Sequence, residues 1–103
     1  MRFMMKVTIP VKTGNKAAKM GTLGATIQSI LEELKPEAAY FTDVDGCRGG
    51  YIYFQLDEAS QIPKIAEPWF LAFNATVDFH PVMLPEDLAK ASTSIESAVE
   101  RYS

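Results

Sequence analysis

Between Arg2 and Pro10 the chain alternates, with Phe3, Met5, Val7 and Ile9 on one parity and Arg2, Met4, Lys6 and Thr8 on the other. Successive side chains of a strand point to opposite faces, so this period of two predicts a strand with one apolar face. The KTGN stretch that follows reads as a turn able to cap a helix through Thr13 or Asn15. Met20, Leu23, Ile27, Ile30, Leu31 and Leu34 then recur at intervals of three and four, predicting one amphipathic helix that ends at Lys35 before Pro36. Gly21 and Gly24 weaken that helix by up to about 1 kcal/mol each, or allow it to pack closely on a sheet. Two more strands are predicted at about 38–44 and 48–56, joined as a hairpin. Asp57 suits an N-cap, and Ile62, Ile65, Trp69 and Phe73 keep helical spacing up to Asn74. Pro63 and Pro68 predict that this helix is kinked or broken near Glu67. Residues 76–82 alternate again, with Val77 and Phe79 opposite Thr76, Asp78 and His80. Pro85, with Glu86 and Asp87 beside it, opens a C-terminal helix whose apolar side is Leu88, Ile95, Val99 and Tyr102.

The order strand, helix, strand, strand, helix, strand, then an extra helix is the split βαβ pattern of an α+β, ferredoxin-like fold. It predicts a single domain over residues 1–103, with an antiparallel sheet carrying its helices on one face. Strand parity puts Phe3, Met5, Val7, Ile9, Ala39 and Phe41 under the helices, together with Ile52, Phe54, Leu56, Val77 and Phe79. The opposite face receives Arg2, Met4, Lys6, Thr8, Tyr40 and Thr42, together with Tyr51, Tyr53, Gln55, Thr76, Asp78 and His80. Three tyrosines, a methionine and a histidine among lone charges read as a face covered by something that leaves polar handles inside.

The hairpin segment DVDGCRGGYIYF holds three glycines, the only cysteine and an arginine. It has neither a G-x-G-x-x-G nor a G-x-x-x-x-G-K-[ST] spacing, and it joins two strands where both phosphate-binding motifs need a helix N-terminus. A two-residue turn at Asp45 and Gly46 pairs Val44 with Cys47, Asp43 with Arg48, Phe41 with Gly50 and Tyr40 with Tyr51. A four-residue turn at 46–49 shifts the partners by two and keeps every face assignment.

This topology and facial chemistry, over nearly the whole chain, resemble the dimeric α/β-barrel superfamily, and within it a bacterial family of uncharacterised function. In that superfamily two ferredoxin-like sheets pack face to face into a shared barrel. Its members include antibiotic-biosynthesis and haem-degrading monooxygenases, muconolactone isomerases, chlorite-dismutase-like haem proteins and ligand-sensing domains of regulators. The resemblance implies a homodimer paired through the open sheet face. The haem-degrading members place an asparagine on the first strand, where this chain has Thr8, and His80 falls on the last strand. No cofactor is therefore expected, and Trp69, beside Phe70 and Phe73, is assigned to the core.

Composition narrows the function classes. The 103 residues carry a net charge of −3, and Lys12, Lys16, Lys19, Lys64 and Lys90 form no dense basic stripe, which argues against nucleic acid as a partner. No apolar run approaches the ~20 residues of a membrane span. Charges at Arg2 and Lys6 interrupt any signal-like start, and one cysteine makes no internal disulfide, so a cytoplasmic location is expected. A single His and a single Cys, on different elements, do not build a zinc site. DVDG lacks the downstream Glu of a calcium loop, so no metal is expected. Cys47 and Arg48 have no identified activating partner, although Arg48 is placed to meet an anion at a barrel mouth.

The candidate chemistry lies on the open face. His80 and Asp78 are two apart on one strand and share a face, with Lys6 on the neighbouring first strand. A histidine between a carboxylate and an ammonium suits general acid–base work, so His80 and Asp78 are the catalytic candidates. Lys6, Met4, Tyr40, Tyr51 and Tyr53 are the substrate-binding candidates, the tyrosines to orient a phenolic or carbonyl compound and Lys6 to neutralise developing negative charge. Two functions compete: a cofactor-free monooxygenase or isomerase, and a non-catalytic ligand-binding or stress-related dimer whose open face is only an interface. An adaptor role for the acidic C-terminal helix is the third.

Overall fold

The computed structural model describes residues 1–103. The strands are β1 (Arg2–Ile9), β2 (Ala38–Val44), β3 (Cys47–Gln55) and β4 (Thr76–Pro81). They form one antiparallel sheet in the order β2-β3-β1-β4. The helices are α1 (Val11–Lys19), α2 (Leu23–Leu34), α3 (Ile62–Phe73), α4 (Pro85–Lys90) and α5 (Ser92–Tyr102), with a short 3-10 turn at Ala59–Gln61.

Met5, Val7, Ile9, Ile52 and Phe54 on one face of the sheet meet Ile30 of α2 and Ile65, Trp69 and Phe73 of α3 in a single apolar cluster. Each such side chain, fully buried, stabilises the fold by about 1.5–3 kcal/mol before chain entropy is counted. Phe3, Phe54 and Phe79 pack ring against ring at its end, with centroids 5.9–6.4 Å apart. Phe41 departs from the parity expectation. It shares the helix-side face, yet it is 51% exposed because the helix layer leaves the outer hairpin uncovered.

Several elements differ from the sequence pattern. KTGN lies inside α1, and the predicted single helix is two, separated at Met20–Thr22, where Gly21 takes φ 72°. Gly14 of KTGN answers a packing need, since a Cβ there would stand 2.8 Å from the Arg48 guanidinium. α3 runs unbroken through Pro68, with Pro63 in its first turn, where a missing N–H costs nothing. The side-chain cap lies before it, on the 3-10 turn, and is made by Gln61 and not by Asp57: the Gln61 Oε1 accepts from the backbone N–H of Asp57 (3.0 Å) and Glu58 (3.2 Å). The C-terminal helix is divided at Ala91, where the Ser92 hydroxyl turns back to donate to Ala89 O at 2.7 Å. The predicted ends at Lys35 and Asn74 hold, both residues taking the left-handed conformation that stops a helix.

Candidate functional site

The hairpin turn is built on Asp45 (φ 50°) and Gly46 (φ 79°), the two successive positive φ angles of a two-residue hairpin turn. It sets the register Val44↔Cys47, Asp43↔Arg48, Phe41↔Gly50 and Tyr40↔Tyr51. β1 then aligns Met4 with Tyr53 and His80, and Lys6 with Tyr51 and Asp78. Two adjacent rows therefore cross the uncovered face: Tyr53, Met4, His80, and Tyr40, Tyr51, Lys6, Asp78. All seven candidate residues share this surface, and Tyr40, 63% exposed, meets Tyr53 edge to face at 6.2 Å.

The charges on that face are organised differently from the sequence expectation. Lys6 Nζ lies 3.2 Å from Asp45 Oδ2, so its ion-pair partner comes from the hairpin turn and not from β4. The hydrogen bond and charge of Asp45 hold the Lys6 ammonium above its ordinary range, with smaller contributions from Tyr51 and Asp78. Lys6 is thus a fixed cation at neutral pH and does not serve as a base. At the rim, the Arg2 guanidinium donates two 2.9 Å bonds to Glu37, and the Gln55 amide adds a third at 3.1 Å. The Arg2 bond depresses the Glu37 carboxyl, and Glu37 raises Arg2 in turn. Val44, 2% exposed, packs over Gly49 outside the main core and anchors the hairpin end of the sheet.

A second feature, absent from the sequence reading, lies on the helix side. A cleft of about 490 Å³ opens between α2 and the hairpin, with Val7, Leu23, Ile27, Phe41 and Trp69 among its walls and Asp43 and Arg48 at its margin. Arg48 donates to Asn15 Oδ1 of α1 at 2.9 Å, while Asp43 accepts from the Thr42 hydroxyl at 3.1 Å. Trp69 is fully buried, and its indole N–H meets no protein acceptor. The exposure of Phe41 opens this cleft, and strand parity alone gives no signal of it.

No group of three or more His, Cys, Asp or Glu side chains is arranged to hold a metal ion. Cys47 is a free, half-buried thiol. No helix is long and apolar enough to cross a membrane.

The four-stranded antiparallel sheet, its helices and its aromatic, charged open face define a small α+β protein. The chain belongs to the DUF3303 family, described as a domain of unknown function, whose family model matches residues 1–96. No curated protein matches it.

Proposed function

We propose that this chain is a ferredoxin-like protein of the dimeric α/β-barrel type. Two copies pair through their open sheet faces and enclose a small aromatic or carbonyl compound. The observation that carries this reading is the pair of rows on the uncovered face, where tyrosines, Met4 and His80 stand beside the fixed cation Lys6. A soluble monomer gains nothing from exposing such a surface, whereas a partner sheet would bury its apolar parts and leave its polar tips facing an enclosed space.

Within the barrel, His80 and Asp78 would exchange protons with the bound compound, Lys6 would neutralise developing negative charge, and the tyrosines would orient it. That chemistry is the class used by a cofactor-free monooxygenase or isomerase. The second reading is a non-catalytic, ligand-binding or stress-related dimer, favoured by the wide exposure of His80 and Asp78 in a single chain.

Native mass spectrometry of freshly purified protein tests the proposal. A dimer retaining a small molecule is expected, and a monomer at micromolar concentration overturns it. His80→Ala separates the two readings: loss of turnover with the dimer and ligand kept supports catalysis. A weakened dimer with its ligand retained supports the interface role.

A further inference from the structure

From the helix-side cleft we infer a second binding site, one that takes a small zwitterion with an apolar body, such as an aromatic or branched-chain α-amino acid. The cleft lies on the side of the sheet opposite the proposed barrel and within one chain. Its existence does not depend on dimerisation.

Three observations converge. The volume, about 490 Å³, falls in the range of small-molecule sites, and the walls contributed by Val7, Leu23, Ile27 and Phe41 are apolar. Two opposite charges stand at the margin on neighbouring strands, Asp43 directly across from Arg48 in the β2–β3 register. These two charges do not pair with each other: Arg48 is held by the neutral Asn15, and Asp43 by the neutral Thr42. The two ion pairs of the molecule are elsewhere, at Arg2–Glu37 and Lys6–Asp45.

A guanidinium has five N–H donors in a fork matched to a carboxylate, and Arg48 spends one of them on Asn15. A ligand carboxylate therefore has donors to meet at Arg48. A neighbouring ammonium would find the acceptor-only carboxylate of Asp43, and an apolar side chain would enter the cleft. A simple monocarboxylate satisfies Arg48 but brings a like charge toward Asp43, and a simple amine does the reverse. The opposed, separately held charges thus favour a molecule that carries both. Gly14 is a positioning residue here, because the Arg48 side chain rests against its bare Cα; a Cβ would push the guanidinium aside.

Trp69, the only tryptophan, lines the cleft and serves as the reporter. The full chain is titrated with L-phenylalanine, 3-phenylpropanoate and 2-phenylethylamine, followed by tryptophan fluorescence and by backbone amide NMR shifts. L-Phenylalanine is expected to give a saturable change, with shifts at Ile27, Asp43 and Arg48. The two analogues, each lacking one charge, should bind at least about tenfold more weakly. Arg48→Gln and Asp43→Asn should each weaken L-phenylalanine by a similar factor while circular dichroism and the unfolding midpoint stay unchanged. No saturable response up to about 10 mM overturns the inference. So does equal binding of 3-phenylpropanoate, unchanged binding by both variants, or shifts confined to Tyr40, Tyr51 and His80. The last result would place the ligand on the open face and leave the barrel proposal standing.

Discussion

At Gly49 and Gly50 of β3 an added Cβ would meet backbone atoms of the neighbouring strands. A Cβ on Gly50 would stand 2.5 Å from Tyr40 O, and one on Gly49 would collide with Val7 O. Backbone cannot step aside as a flexible side-chain tip can, so Gly49→Ala and Gly50→Ala should each destabilise the protein by about 2 kcal/mol or more in urea unfolding. The same change at Gly24 should have the opposite sign. Gly24 is the second residue of α2, and its added Cβ meets nothing, so Gly24→Ala should stabilise by about 0.4–1 kcal/mol. The sequence shows that a turn lies within DVDGCRGG but not which glycine makes it. Geometry assigns the turn to Asp45–Gly46 by their positive φ angles, and gives Gly49 and Gly50 to close strand contact. At Phe41 the hydrophobic identity was legible, but its exposure depends on where α2 stops covering the sheet.

At the scale of elements, the edge of the open face is tied by Arg2, Glu37 and Gln55, joining β1, the segment before β2, and β3. Because Glu37 has a lowered folded pKa, its stabilising effect is fully present above the unfolded carboxyl value and disappears as pH falls through the lowered one. Glu37→Gln should therefore lower the melting temperature at neutral pH, and the gap should close in acid. A gap of equal size at both would contradict the assignment. Lys6 behaves oppositely. Its raised value keeps the Asp45 pair intact through neutrality, and the pair's contribution is lost only as pH rises through that value in the alkaline range. Strand boundaries were readable because a period of two survives any packing arrangement. Helix breaks were not: the apolar spacing of residues 20–34 ignores the turn at Gly21, and Pro68 reads as a break, although α3 continues through it.

At the scale of the whole molecule, the shape is elongated, 58 × 28 × 21 Å with a radius of gyration of 17.3 Å, against about 13 Å for a compact chain of this length. The C-terminal arm accounts for this: α4 and α5 bury no residue, and Leu88, Ile95, Val99 and Tyr102 are exposed along it. Every buried residue lies between Met5 and Ala75. Removing residues 84–103 should therefore change the stability of an isolated chain by no more than about 0.5 kcal/mol. In a dimer built as proposed, the same deletion should weaken association, which native mass spectrometry reads directly. By itself the sequence determined the strands, their inward and outward faces, the presence of the hairpin, and the gathering of seven candidate residues on one surface. These follow from local periodicity and turn chemistry, which need no knowledge of distant neighbours. Tertiary structure alone decided that Lys6 pairs with Asp45, that Arg48 turns to Asn15, and that an apolar cleft opens beside Phe41. Each depends on how the hairpin and helix layer meet, and a contact between residues 33 or 39 positions apart leaves no periodic trace in the chain.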